Sequence, residues 1–173
     1  MEPDQEGAGR KAGTRTPVAR ARARVRHLDH TADVGVEVRA PDLEGLLIGA
    51  VGGMTELILG EARPDDGERR TVRVQGGDPA LLLRNLLREV LFLHEAEGFA
   101  VARTTVAVDG RPAATPPGAP GDGGEAQWAA TAQLHGGADP GPPIRELKGV
   151  TLHGLEARET AEGEWFARVI FDV

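Results

Sequence analysis

Cysteine is missing from this 173-residue chain, and so is tyrosine. The first absence excludes disulfides, thiolate zinc sites and cysteine nucleophiles together, leaving oxygen and imidazole as the available metal ligands. The second, with aromatic residues at only 3%, means a core built from Leu, Val, Ala and Ile, without broad stacking platforms for single-stranded bases. No apolar run reaches the roughly 18 residues of a membrane span, and no signal-peptide pattern opens the chain. A soluble, cytoplasmic protein with no membrane partner is expected. Its length is that of one domain able to bury its own core.

The charge is uneven. Residues 1–26 carry seven basic groups against three acidic ones, a net +4, so the net -7 of the chain leaves -11 on the other residues. Residues 1–22 have few large apolar groups and no periodicity, and are read as a disordered basic tail able to graze nucleic-acid phosphates. Residues 23–173 are read as a single domain, whose acidic balance argues against gripping RNA by itself.

Along that domain, Ala23, Val25 and His27 alternate weakly with Arg. After a turn at residues 29–32, Val34, Val36, Val38 and Ala40 alternate clearly. Asp42 caps a helix whose apolar set is Leu43, Leu46, Leu47, Ala50, Val51, Met54, Leu57 and Ile58. Gly45, Gly49, Gly52 and Gly53 weaken it by about 1 kcal/mol each, so packing must hold it. Gly60 stops it, and a short strand follows at residues 71–74. Asp78 and Pro79 start a second helix, apolar over more than half its circumference, read as the more buried of the two helices and ended by Gly98.

Strands are then predicted at 99–108, 126–135, 146–159 and 165–172. Pro/Gly-rich breaks fall at 111–124 and 136–143. The last strand carries large apolar groups on both faces, which predicts a central position. The fold class is therefore α+β, with mixed, mainly antiparallel sheets and two helices packed on one side.

The chemistry-bearing residues gather near both ends of the domain. If the last strand is central, Asp172 and the Val173 carboxylate lie at the edge of the core, where unpaired anions are costly. A metal ion, Lys148 or Arg168 can meet them. Asp33 lies beside Asp172 if their strands pair, and two carboxylates with a carbonyl make a partial site for a hard cation. On spacing alone, separate caps or salt-bridge partners are the commoner outcome for such acids. His27 and His30 lack the further soft ligands of a zinc site, so His30 is read as bonding its turn. His153 is placed mid-strand, half-buried. No phosphate loop and no nucleophile elbow is present.

Four separated stretches carry a resemblance. They are Asp29-His30-Thr31-Ala32-Asp33-Val34-Gly35, Leu87-Arg88-Glu89-Val90-Leu91-Phe92-Leu93 with Glu97-Gly98-Phe99, Lys148-Gly149-Val150-Thr151-Leu152-His153-Gly154-Leu155-Glu156, and Trp165 to Val173. In order over residues 27–173, they resemble the archease family.

That resemblance implies an activator, itself not an enzyme and with no catalytic residues. Its partner would be the GTP-dependent tRNA-splicing RNA ligase, which it helps through guanylylation and multiple turnover, meeting RNA only through the ligase. It further implies a divalent ion, calcium in the family with magnesium or manganese as alternatives, held by Asp33, Asp172 and Val173. Lys148 resembles a family lysine near that site, and His30 and Glu89 are further candidates for partner contact. Four positions depart: Leu86 replaces a usual Trp, Arg88 a usual Asn or Ser, Val90 a usual Leu, and Gly149 a usual Ala. The rival readings are a stand-alone metal-dependent phosphoesterase, with His30 or His153 as base, and a general scaffold or chaperone.

Overall fold

A computed structural model describes residues 23–29, 34–109, 128–138 and 140–173. The predicted tail at 1–22, the loop at 111–124, His30 and Asp33 lie outside these residues. The element order is β1 (Arg24–Asp29), β2 (Val34–Ala40), α1 (Leu43–Leu59), β3 (Glu68–Gly76), α2 (Pro79–Glu97), β4 (Phe99–Asp109), β5 (Trp128–Ala138), β6 (Gly149–Val150), β7 (Glu156–Glu159) and β8 (Trp165–Asp172).

Both helices begin as their sequences dictate. The side chains of Asp42 and Asp78 accept from the amides of Gly45 and Leu81, each at 2.7 Å, satisfying donors that a first turn leaves free. Gly60 and Gly98 end them at φ 62° and 61°, conformations that glycine adopts without strain.

The strands form two antiparallel sheets among the described residues. In the larger, β1 pairs with β2 and β2 with β8, while β6 and β7 both pair with the far side of β8. In the smaller, β5 lies between β3 and β4. Helix α1 packs on β1, β2 and β8 of the first sheet and on β4 of the second; α2 packs on β6 and β7 of the first and on all three strands of the second. One hydrophobic core results, running from Val36 and Val38 through Leu46, Met54 and Leu86 to Leu134 and Phe171. The α+β architecture is the expected one.

Three details differ from expectation. Helix α1, touched by both sheets and by α2, is more buried than α2, which leaves Leu81 and Phe92 exposed. The strand predicted at 146–159 is split into β6 and β7. Gly154 turns at φ 62°, the Leu155 amide donates to the Leu152 carbonyl, and His153 is exposed in that turn rather than mid-strand. Strand β8 is central as predicted, but only one of its faces meets the helices. On the other, Phe166 is covered by the guanidinium groups of Arg39 and Arg158, 5.0 and 5.6 Å from its ring centre.

Candidate functional site

The end of β8 is positioned by hydrogen bonds on both flanks. On one side Val34 lies opposite Phe171, so β2 starts where β8 finishes. Asp33 precedes Val34 in the chain and is outside the described residues. On the other side Gly149 lies opposite Asp172, with the Lys148 amide donating to the Asp172 carbonyl at 2.8 Å and the Thr151 amide to the Ile170 carbonyl at 3.1 Å. The Lys148 backbone is thus fixed beside Asp172.

Two residues support this arrangement: Arg84, not singled out from sequence, and Gly35, the last residue of the first of the four stretches. Arg84 of α2 donates through Nε to the Val150 carbonyl at 3.1 Å and ties the helix to β6. Its signal was a cation inside the apolar stripe from Leu82 to Leu87. Gly35 allows β2 to approach β8: a Cβ there would collide with the Val169 carbonyl oxygen and stand 2.9 Å from Ile170 Cδ1. At Gly149, by contrast, a Cβ would lie 3.9 Å from Asp172 Oδ2, an ordinary contact, so this position accommodates either glycine or alanine.

The electrostatic reason given for a cation at Asp172 does not hold. Asp172 and Val173 are exposed, so no buried anion demands neutralisation. Arg168 is committed elsewhere, bonding Glu37 through Nε and Nη2 at 2.9 and 2.5 Å. No ion pair joins Lys148 to Asp172 among the described residues. What remains is chemical fit: two exposed oxygen-donor groups, Asp172 and Val173, of the kind that hard divalent ions select.

Among the described residues no three His, Asp or Glu side chains gather as a complete metal set. His27 is not part of this end. Its Nε2 lies 3.2 Å from the Gly53 carbonyl and 3.6 Å from Glu56. Glu89 is exposed on α2 and makes no hydrogen bond or ion pair with Lys148 or Asp172. Two clefts open elsewhere: one of about 280 Å³ between α1 and β4, lined by Arg63 and Arg103, and one of about 340 Å³ where Ile58 and His94 face Arg145. Neither is lined by Asp172, Val173 or Lys148. No helix of the described residues is long and apolar enough to cross a membrane.

Comparison with known proteins agrees with the resemblance read from the four stretches. The model of the archease protein family (MTH1598/TM1083) matches residues 26–173. Protein archease of Pyrococcus abyssi is 26% identical over 150 residues, covering 85% of this chain and 96% of that protein. Protein archease of Archaeoglobus fulgidus is 28% identical over 149 residues, covering 86% and 98%. The solution structure of Methanobacterium thermoautotrophicum protein 1598 superposes with a TM-score of 0.65 at 26% identity, covering 86% of this chain and 98% of the other. A Thermotoga maritima crystal structure described as an archease, "possible chaperone", shares the fold with a TM-score of 0.50 at 17% identity, covering 93% and 98%. With a family model spanning nearly all of the described domain, this chain belongs to the archease family.

Proposed function

We propose that this protein is a non-enzymatic activator of a GTP-dependent tRNA-splicing RNA ligase, promoting guanylylation of the ligase and its multiple turnover from the surface at the end of β8. One observation carries the reading: in a chain of the archease family, Asp172 and Val173 project as exposed oxygen donors beside the Lys148 backbone, outside both clefts. Donors on an exposed strand end suit entry into a partner's site better than capture of a small substrate.

Asp172, Val173 and Asp33 would hold the ion, with calcium as the expected metal. Bound there, a divalent ion would neutralise phosphoryl charge. This chain's own residues do the positioning. Arg84 holds β6 against α2, β6 fixes the Lys148 backbone beside Asp172, and Gly35 lets β2 close on β8.

The test is RNA ligation by the cognate ligase with GTP, a divalent ion and sub-stoichiometric amounts of this protein. Wild type should raise the number of turnovers per ligase, and Asp172→Ala and Asp33→Ala, with unchanged circular dichroism, should not. An active ligase that gains nothing from the wild-type protein overturns the proposal. Phosphoester hydrolysis by the protein alone would favour the enzyme reading instead. Suppression of aggregation of an unrelated unfolded protein would favour the chaperone reading.

A further inference from the structure

The outward faces of the two sheets are built differently. On the larger sheet every exposed arginine is engaged: Arg24 with Glu164, Arg26 and Arg168 with Glu37, Arg158 with Glu156, and Arg39 4.0 Å from Glu164. That face is internally neutralised, as expected of a solvated surface.

The smaller sheet is not. Antiparallel register places Arg69, Thr71 and Arg73 of β3, Thr131, Gln133 and His135 of β5, and Arg103, Thr105 and Ala107 of β4 on its outward side. Arg69 lies opposite His135 and His135 opposite Arg103; Thr71 and Thr105 flank Gln133. The three arginines are exposed, and no ion pair engages any of them among the described residues. The acids stand at the rim: Asp109 opposite Ala129 at one end, and at the other the loop before β3, with Asp65 against Gly137 and Asp66 near His135. His135 registers the field. Burial first, and then Arg103 and Arg69, hold its pKa below the ordinary 6.5 against the opposing pull of Asp66.

Strand geometry sets the spacing, about 13 Å between Arg69 and Arg73 along β3 and roughly 10 Å between Arg69 and Arg103 across the sheet. Three unneutralised guanidinium groups around a row of Thr and Gln form a surface for repeated anions flanked by hydroxyls. Arginine takes phosphate with its fork of donors; Thr71 donates to Gln133 Oε1 at 2.9 Å, and the Gln133 amide NH2 and the Thr105 and Thr131 hydroxyls face a ribose 2′-hydroxyl. Among the described residues, no Phe, Tyr or Trp stands on this face to stack a base, and the His135 ring is its one aromatic group. We propose that the outward face of β3, β5 and β4 docks the sugar-phosphate backbone of RNA without reading sequence. The acidic balance of the body does not oppose this, because the carboxylates lie off this face or at its rim, and contact is decided locally within a Debye length of about 10 Å.

The experiment is fluorescence anisotropy of a labelled 20-nucleotide RNA of mixed sequence with the full chain, at increasing KCl. No ligase is present, so the result bears on this face and not on activation. The triple variant Arg69→Gln, Arg73→Gln, Arg103→Gln is compared with a control of equal charge change, Arg24→Gln, Arg63→Gln, Arg158→Gln. DNA of the same sequence forms a further arm, and melting curves confirm folding. Wild type should bind RNA with a log–log salt slope of about -2, the value for three phosphate contacts on a single strand. The β3/β4 triple should lose roughly tenfold or more in affinity along with most of that slope, while the control changes less than about twofold. Four outcomes overturn the proposal: absence of RNA binding by wild type, undiminished binding by the triple variant, equal losses in the control, or DNA held as tightly as RNA. Undiminished binding by the triple would assign it to the basic residues at 1–22.

Discussion

Glu37 sits between two arginines on the outward face of the larger sheet. Its carboxylate accepts from Arg168 at 2.9 and 2.5 Å and from Arg26 at 3.0 and 2.5 Å, with its own side chain only 13% exposed. The Arg168 hydrogen bond is the main cause holding its pKa below the ordinary 4.5; burial opposes it and Arg26 adds to it. A depressed carboxylate contributes stability that is present above its unfolded pKa and lost as pH falls through the folded value. Glu37→Gln should therefore cost about 1 kcal/mol at pH 7, below the roughly 1.5–3 kcal/mol of charged hydrogen bonds because the Arg26 and Arg168 side chains are 69% and 46% exposed. The gap between wild type and variant in urea denaturation should close as pH falls below 4.5. A gap unchanged at pH 3 would mean that packing, not charge, holds Glu37.

The glycines of α1 show how an element is fitted to its neighbours. A Cβ on Gly49 would come within 2.7 Å of Ala23 Cβ and 2.8 Å of Val38 Cγ1, and one on Gly53 within 2.8 Å of Val25 Cγ1, so both mark where the helix rests on β1 and β2. A Cβ on Gly52 would meet nothing within 4 Å. Gly52→Ala should therefore raise stability by about 0.5–1 kcal/mol, and Gly49→Ala should lower it by roughly 1–3 kcal/mol through overpacking, both read from thermal melts.

That distinction was not legible in the sequence, where the four glycines of this helix read alike. The caps were legible, because Asp42, Asp78-Pro79 and Gly98 act within one turn of chain. The split between β6 and β7 was not: Val150, Leu152 and Leu155 resemble strand alternation, and only the turn at Gly154 interrupts it. The ends of the candidate site could be named, since Asp172 and Lys148 are local to their motifs. Arg84 and the arginine face of the smaller sheet could not, because each depends on register between distant segments.

At the scale of the whole molecule, β2 and β8 bring together segments more than a hundred residues apart, with Val34 opposite Phe171. An ion held by Asp33, Asp172 and Val173 would therefore bridge two segments that lie far apart in an unfolded chain, and would bind the folded state in preference. Its effect on stability is then a direct measure of the site, independent of any partner. Calcium at about a hundred times its dissociation constant should stabilise the fold by about 2.7 kcal/mol, which for a domain of this length raises the melting temperature by roughly 5–10 °C. Chelation should reverse the rise, and Asp172→Ala should remove it while leaving the metal-free melting temperature within a degree or two, because Asp172 is exposed and makes no ion pair among the described residues. A rise that persists in Asp172→Ala would place the ion elsewhere. A large loss of stability in the metal-free variant would instead assign Asp172 a structural role in closing β8 against β6.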